Sequence, residues 1–480
     1  MEPEAGAASP ARRKRLRLHL ITWNVGTASP PPDVTSLLQL SLQGLAVDIY
    51  VVGLQEVNSK IVNFLSDMAF DDPWSIFFER ILSPLSYIKV SSIRMQGLLL
   101  LIFAKHAHIP FIREIQSQFT RTGLYRYWGN KGAVSTRMSL YGHMVCFVNC
   151  HLPAHMENAE QRLDDFEHIL EMQQFEGETV PGVLDHDFPP VLSISSQSRS
   201  ILFWFGDLNF RIEDYGLHFI RESINKNRFS LLWEKDQLNM AKKKEGFLQE
   251  FREGPLQFKP TYKFDLYSNE YDTRVQKTLI WFHGKKRKPA WTDRILWRVK
   301  SLLPRSSEAE EEPEEQPVSV SLNSYASHMG YSISDHKPVS GTFELELKPL
   351  VSIPLVTLHP VGSWSSGQDV TVSYSALPEL PHSAWDWIGL YKVTFRHAND
   401  YAAYAWVQDN EISSGEDAKQ VYLSTEGLTT DGEEFLLGYY SHTMQSIVGL
   451  SPHFQIQPSR MVAEKDLAWD GEALPCGSSE

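Results

Sequence analysis

Ile201–Asp214 reads I-L-F-W-F-G-D-L-N-F-R-I-E-D. Five consecutive apolar residues run into Gly206, and two chemically able side chains, Asp207 and Asn209, follow at i and i+2. An apolar run of this length closed by glycine predicts a buried strand. The residues after Gly206 are then aimed off the sheet edge, where a carboxylate can reach a metal ion or a water. Taken alone, the pattern is also that of a strand ending in an Asp/Asn turn. The recurrence of the same design elsewhere in the chain separates the two readings.

Upstream, R-L-H-L-I-T-W-N-V alternates Leu16, Leu18 and Leu20 with Arg17 and His19, predicting a strand that ends at Trp23-Asn24. Val47–Gly53 predicts a second strand, leading into Gln55-Glu56. Gly97–Ala104, Ala133–Leu140 and Met144–Asn149 predict three more, the last leading to His151. Helical spacing marks Ser36–Leu42, most of residues 58–84, and residues 157–173. Four strands therefore finish at Asn24, Glu56, His151 and Asp207. Laid side by side, they would bring these side chains to one rim, where sheet-based folds hold ligands. His143, His155, His186 and His328 have no such company and read as structural.

Downstream, G-P-L-Q-F-K-P-T-Y-K-F-D (254–265) carries the pair Tyr262-Lys263, and K-K-R-K (285–288) precedes a strand beginning near Trp291. The acidic run 304–317 reads as a solvated loop. It is not a domain boundary, because Ser334-Asp335-His336 beyond it supplies the last piece of the site. After Lys348-Pro349, short alternating strands (Val370–Tyr374, Trp387–Lys392, Ala403–Val407, Glu434–Tyr440) predict a separate all-β sandwich over 349–458. Trp385, Trp387 and Trp406 are expected in its core. Residues 1–14 read as a disordered tail and 459–480 as a second tail.

The chain has 480 residues, enough for two to four domains, and 42% hydrophobic and 22% charged residues, an ordinary globular balance. Its net charge is −14, and six of the acids lie between Glu308 and Glu315. No nucleic-acid partner is expected from that balance, and a phosphorylated ligand would need local cations. Cys146, Cys150 and Cys476 make neither a disulfide framework nor a C-x-x-C motif, which fits a reducing compartment. The longest apolar run, Leu98–Ala104, is too short to span a bilayer. The expectation is a cytoplasmic protein.

The pieces W-N-V (23–25), L-Q-E (54–56), G-N-K-G (129–132), N-C-H-L (149–152), G-D-L-N-F-R (206–211), T-Y-K-F-D (261–265), K-P-A-W-T-D-R-I-L-W (288–297) and S-D-H-K-P-V (334–339) occur in this order. Together they resemble the inositol polyphosphate 5-phosphatases over residues 16–347. The resemblance implies an α/β fold of the endonuclease/exonuclease/phosphatase type, a two-sheet sandwich flanked by helices, over 15–348. W-D-W-I-G-L-Y-K (385–392) and F-L-L-G-Y-Y (435–440) resemble the SKICH domain, an all-β, immunoglobulin-like module.

Hydrolysing a phosphomonoester needs neutralised phosphoryl oxygens, a positioned water and in-line geometry. Glu56 and Asn24 are the candidate metal residues, and a hard oxygen site with few protein ligands suits Mg²⁺. Asp207 is the candidate for orienting and deprotonating the water, with Asn209 donating to phosphate or water. His151 and His336 would hydrogen-bond the phosphoryl oxygens. By resemblance, Asp293 is the carboxylate partner of the imidazole and Asp335 lies near the metal. Resemblance also gives Asn130 and Lys131 to the lipid-linking 1-phosphate, and Tyr262, Lys263, Lys285 and Arg287 to the 4-phosphate. It implies phosphoinositide substrates, PtdIns(4,5)P2 and PtdIns(3,4,5)P3 with soluble inositol polyphosphates beside them. It further implies recruitment to plasma or endoplasmic reticulum membranes, and protein partners for the SKICH-like domain. Two inserts, 188–200 and 274–284, depart from the family pattern. Two other readings stay open: a scaffold or binding protein whose catalysis these inserts impair, and another phosphodiesterase of the same fold.

Overall fold

The computed structural model describes residues 13–41, 46–57, 72–122, 131–173, 200–273, 287–300, 318–412, 419–428 and 432–457. Asn130, His186, Lys285, both inserts except Ser200, the acidic run 304–317, the second tail and nearly all of the first lie outside them. The chain divides into two compact units. One comprises the chain up to Arg80 with Lys89–Lys105 and Ile115–Ser352; the other comprises Ile81–Ile88, His106–Glu114 and the chain from Ile353.

The first unit is built on β1 (Lys14–Asn24), β2 (Ile49–Gln55), β3 (Tyr87–Met95), β4 (Leu98–Lys105), β5 (Ile112–Arg121) and β6 (Gly132–Leu140). It continues with β7 (His143–His151), β8 (Ser200–Asp207), β9 (Arg252–Glu253), β10 (Asp293–Lys300), β11 (Val318–Ser327) and β12 (Val339–Leu347). Two six-stranded sheets result, ordered β11-β12-β1-β2-β4-β3 and β5-β6-β7-β8-β10-β9. The central strands are apolar on both faces because each face is covered. In β8, Phe203 and Phe205 point between the sheets, where Phe203 meets Phe147 of β7 (5.5 Å) and Phe343 of the facing sheet (5.1 Å). Trp204 points outward and stacks at 3.9 Å on Phe166 of the helix Ala159–Glu171.

Register decides where these strands finish. β1 and β2 run parallel, pairing Asn24 with Gln55. β7 and β8 also run parallel, pairing His151 with Asp207, and antiparallel β10 sets Asp293 opposite Asp207. A buried amide pair ties one sheet to the other just below the rim: Gln55 Nε2 donates to Asn149 Oδ1 at 2.6 Å. Asn149 Nδ2 in turn donates to the Leu54 and Leu99 carbonyls at 3.1 and 2.9 Å.

The second unit adds β13 (Val356–Val361), β14 (Asp369–Ala376), β15 (Trp387–Lys392), β16 (Ala403–Trp406), β17 (Glu411–Ile412), β18 (Lys419–Ser424), β19 (Glu434–Ser441), β20 (Ser446–Leu450) and β21 (Phe454–Gln455). They form the sheets β13-β14-β18-β17 and β16-β15-β19-β20, with β21 on β19. Among the described residues no helix is long and apolar enough to cross a membrane.

Three sequence expectations change. Residues 36–41 form turns, not a helix, because Gln39 takes a left-handed φ of 56° and breaks the repeat. The helix expected within 58–84 covers Pro73–Leu82, and 58–71 lie outside the described residues. Trp385, Trp387 and Trp406 do not belong to the sandwich core, which contains Trp364 instead. Side chains alternate along a strand, so Ile388 and Ala405 face inward while Trp387 and Trp406, paired across β15 and β16, face outward. Trp387 is covered by Tyr440 stacked at 5.0 Å, whereas Trp385 is 62% exposed.

Gly206 lets Asp207 reach the rim. Its φ is +140°, and an added Cβ would collide with the Cys150 backbone of the neighbouring strand. Gly206→Ala is therefore expected to destabilise the protein by about 2 kcal/mol or more, read as a lowered melting temperature. Gly216→Ala, at a site with no atom within 4 Å of the new Cβ, is expected to leave the melting temperature near the parent value.

Candidate active site

Both sheets deliver polar residues to one rim. Asn24 ends β1, and Glu56 comes directly after β2 with a left-handed φ of 53°. That turn leaves the Glu56 side chain 41% exposed, while Asn24 is buried. From the other sheet come His151, Asp207 and Asp293. The loop carrying Ser334, Asp335 and His336 is tied to the rim by the Ser334 hydroxyl, which donates to the Asn24 carbonyl at 2.7 Å.

Asp207 Oδ2 is the common point. Asn24 Nδ2 donates to it at 2.9 Å and to Glu56 Oε1 at 3.1 Å. The Asn24 oxygen accepts from the Gly26 amide at 3.1 Å, which fixes the side chain's orientation. His151 Nε2 lies 3.3 Å from Asp207 Oδ2 and 3.8 Å from Glu56 Oε1; His336 Nε2 lies 3.8 Å from Asp207 Oδ2. Behind His336, Nδ1 donates to Asp293 Oδ2 at 2.9 Å. The same oxygen accepts from the Thr261 and Thr292 hydroxyls at 2.6 and 2.8 Å.

Burial alone would raise the Asp207 carboxyl, but His336, His151 and Lys131 override it and hold the group ionised, well below the usual carboxylate range. Burial likewise opposes charge on His336; Asp293 and Asp207 nevertheless push its pKa up to about 10. His151 moves the other way, lowered by burial and by the Lys131 charge. The rim thus holds one imidazolium and one neutral imidazole around one carboxylate.

Asp207, Asp293 and His336 present ligand atoms all within 4.8 Å of one another, a grouping compatible with a divalent metal. The hydrogen bonding points to a different use of His336. Its Nδ1 donates to Asp293 and its Nε2 faces Asp207, so both nitrogens are turned toward carboxylates. Two oxygen donors, the part-exposed Glu56 Oε1 and the buried Asp207 Oδ2, flank the Asn24 amide. Oxygen donors suit a hard cation.

The remaining expected residues fall around this centre. Lys131 contacts His151 through its ammonium, and burial lowers its pKa. Lys263 Nζ pairs with Asp335 Oδ2 at 2.7 Å. The Tyr262 ring lies 4.4 Å from that of His336, and the Arg211 guanidinium stacks over it at 4.6 Å. Arg287 is exposed and bonds through its backbone to Asp272. Asn209 departs from expectation: its amide donates to the Leu152 carbonyl at 3.0 Å, and its oxygen accepts from Arg211. Asn209 thus braces Arg211. Sequence reasoning does not single out Arg211, Thr261 or Thr292, and it gives Gln55 and Ser334 no role of their own, although all five lie in the quoted motifs.

Comparison with known proteins defines the class. The model of "Endonuclease/Exonuclease/phosphatase family 2" matches residues 21–342, and that of the SKICH domain matches 356–456. The chain is 50% identical over 457 residues to inositol polyphosphate 5-phosphatase K of Mus musculus, covering 95% of this chain and 93% of that protein. It is 47% identical over 450 residues to phosphatidylinositol 4,5-bisphosphate 5-phosphatase A of Homo sapiens, covering 93% of this chain but 42% of that longer protein. Among solved structures, the 5-phosphatase domain of a synaptojanin (SPsynaptojanin), in complex with inositol (1,4)-bisphosphate and calcium, aligns with a TM-score of 0.54 at 29% identity. That alignment covers 70% of this chain and 86% of the other. The chain belongs to the inositol polyphosphate 5-phosphatase family, a family of phosphoric monoester hydrolases.

The His336–Asp293 pair sets a spectroscopic expectation. In ring-labelled protein, His336 should titrate by NMR with a midpoint near 10, keeping its proton through neutral pH. Asp293→Asn removes the main charge holding that proton and should lower the midpoint by about one unit or more. A parent midpoint near 6.5, the ordinary histidine value, would contradict this pairing.

Proposed function

We propose that this chain is a Mg²⁺-dependent phosphoinositide 5-phosphatase, removing the 5-phosphate of PtdIns(4,5)P2 and PtdIns(3,4,5)P3 and acting on soluble inositol polyphosphates as well. Residues 15–348 form its catalytic domain. Residues 349–458 form a SKICH-like module that binds protein partners and recruits the cytoplasmic enzyme to plasma or endoplasmic reticulum membranes. The observation that carries the proposal is the sharing of Asp207 Oδ2 by Asn24, His151 and His336.

Glu56, assisted by Asn24, would hold the Mg²⁺, which when bound supplies charge neutralisation to the phosphoryl oxygens. Asp207 accepts a hydrogen bond from the attacking water and aims it along the line of the scissile P–O bond. An anion held so firmly is a weak base, so orientation outweighs proton removal. Phosphoryl transfer through a loose transition state needs positioning above all. His336 donates its Nε2 proton to a phosphoryl oxygen, and Asp293 keeps that ring charged and oriented. Lys131 adds positive charge beside His151, and Asp335 orients Lys263. Asn130 and Lys131 take the 1-phosphate, whereas Tyr262, Lys263, Lys285 and Arg287 take the 4-phosphate. Asn209 serves this site through Arg211.

Phosphate release from dioctanoyl PtdIns(4,5)P2 tests this directly. EDTA should abolish turnover and Mg²⁺ should restore it, while Glu56→Gln should raise the Mg²⁺ concentration required for half-maximal rate. Asp207→Ala should lower kcat by about 10²-fold or more, the usual effect of losing a transition-state contact. Release by Asp207→Ala at the parent rate would overturn the role given to that residue. A parent that cleaves a phosphodiester but not this lipid would point to another hydrolase of the fold.

A further inference from the structure

His155 has no motif around it, yet its backbone adopts φ 76° and ψ 152°, a region otherwise almost reserved for glycine. Such a conformation persists only where the surroundings impose it, and it occurs preferentially at functional sites. The surroundings here are specific. Buried Arg162 donates from Nη1 to the Pro153 carbonyl at 2.9 Å and to the His155 carbonyl at 2.6 Å. Asn158 Nδ2 donates to the Ala154 carbonyl at 2.6 Å. The loop leaving His151 is thereby clamped with the His155 side chain exposed.

That side chain meets Arg287, whose Nη1 lies 3.3 Å from His155 Nδ1. A guanidinium can only donate, so Nδ1 is the acceptor and the ring proton resides on Nε2. Arg287 is held from its other side as well. Its backbone N–H donates to Asp272 Oδ2 at 2.9 Å, and the Asp272 N–H donates to the Lys263 carbonyl at 3.1 Å. The contact therefore joins the loop that leaves His151 to the segment that carries Tyr262 and Lys263.

We propose that His155 is a specificity-determining positioning residue: its Nδ1 fixes the Arg287 guanidinium toward the phosphate adjacent to the one removed. A planar guanidinium recognises a phosphate best when its fork is oriented in advance. The strained backbone is what places the ring to do so. The inference rests on the phosphatase reading above and deepens it by assigning discrimination between substrates with and without an adjacent phosphate.

The test uses the full chain with dioctanoyl PtdIns(4,5)P2 and dioctanoyl PtdIns5P, which share the 5-phosphate and differ in the 4-phosphate. The ratio of kcat/KM for the first lipid over the second is measured for the parent, His155→Ala, His155→Gly, Arg287→Ala and His155→Ala/Arg287→Ala. Losing one hydrogen bond to a charged group should lower the ratio about tenfold, chiefly through KM. The double variant should be no worse than Arg287→Ala alone, because the histidine acts through the arginine. His155→Gly should lose the same selectivity with a melting temperature at or above the parent, since glycine accepts this backbone, and so serves if His155→Ala folds poorly. An unchanged ratio in His155→Gly, or losses that add in the double variant, would overturn the role of His155. A parent that releases phosphate from neither lipid would overturn the phosphatase reading itself.

Discussion

One carboxylate oxygen, Asp207 Oδ2, organises the catalytic unit. It is buried, and an isolated buried carboxylate would take up a proton or destabilise the fold. It escapes both because an amide from β1, an imidazole from β7 and an imidazolium from the 334–336 loop converge on it. Two of these groups are held by a further partner: Gly26 for Asn24 and Asp293 for His336. The charge arrangement a phosphoryl group would meet thus exists before substrate arrives, which is the condition for electrostatic preorganisation.

Convergence is a consequence of topology. Parallel pairing makes β1 end beside β2 and β7 beside β8, so residues distant in sequence stop at the same height. Gly206 permits close approach of β8 to the Cys150 backbone. The Gln55–Asn149 amide contact then fixes one sheet against the other directly beneath the rim. A register slip of one residue would turn every side chain of a strand to the opposite face, and the apolar demands of both layers on β8 oppose it.

Much of this is legible in the sequence because the central strands are uninterrupted apolar runs that stop abruptly at polar residues. Asn24, Glu56, His151 and Asp207 announce themselves in that way, and the structure brings them together. Gln55, Thr261 and Thr292 do not, since their importance depends on which residue lies opposite, and spacing along one chain carries no information about that. Asn209 escapes a reading from sequence for a related reason: only the fold reveals that its amide meets the Leu152 carbonyl. Size alone would put the tryptophans of the second unit in its core, yet strand alternation turns Trp387 and Trp406 to the outer face. His155 is invisible in the sequence because backbone strain leaves no mark on composition or periodicity.

If the rim acts as one device, its members cannot contribute independently. The measurement that bears on this is a double-mutant cycle on kcat/KM with Asp207→Asn, His336→Gln and the pair combined. Joint action at one phosphoryl group predicts that the combined variant is about as slow as the slower single variant. Losses that multiply, as for two residues working at separate places, would contradict it.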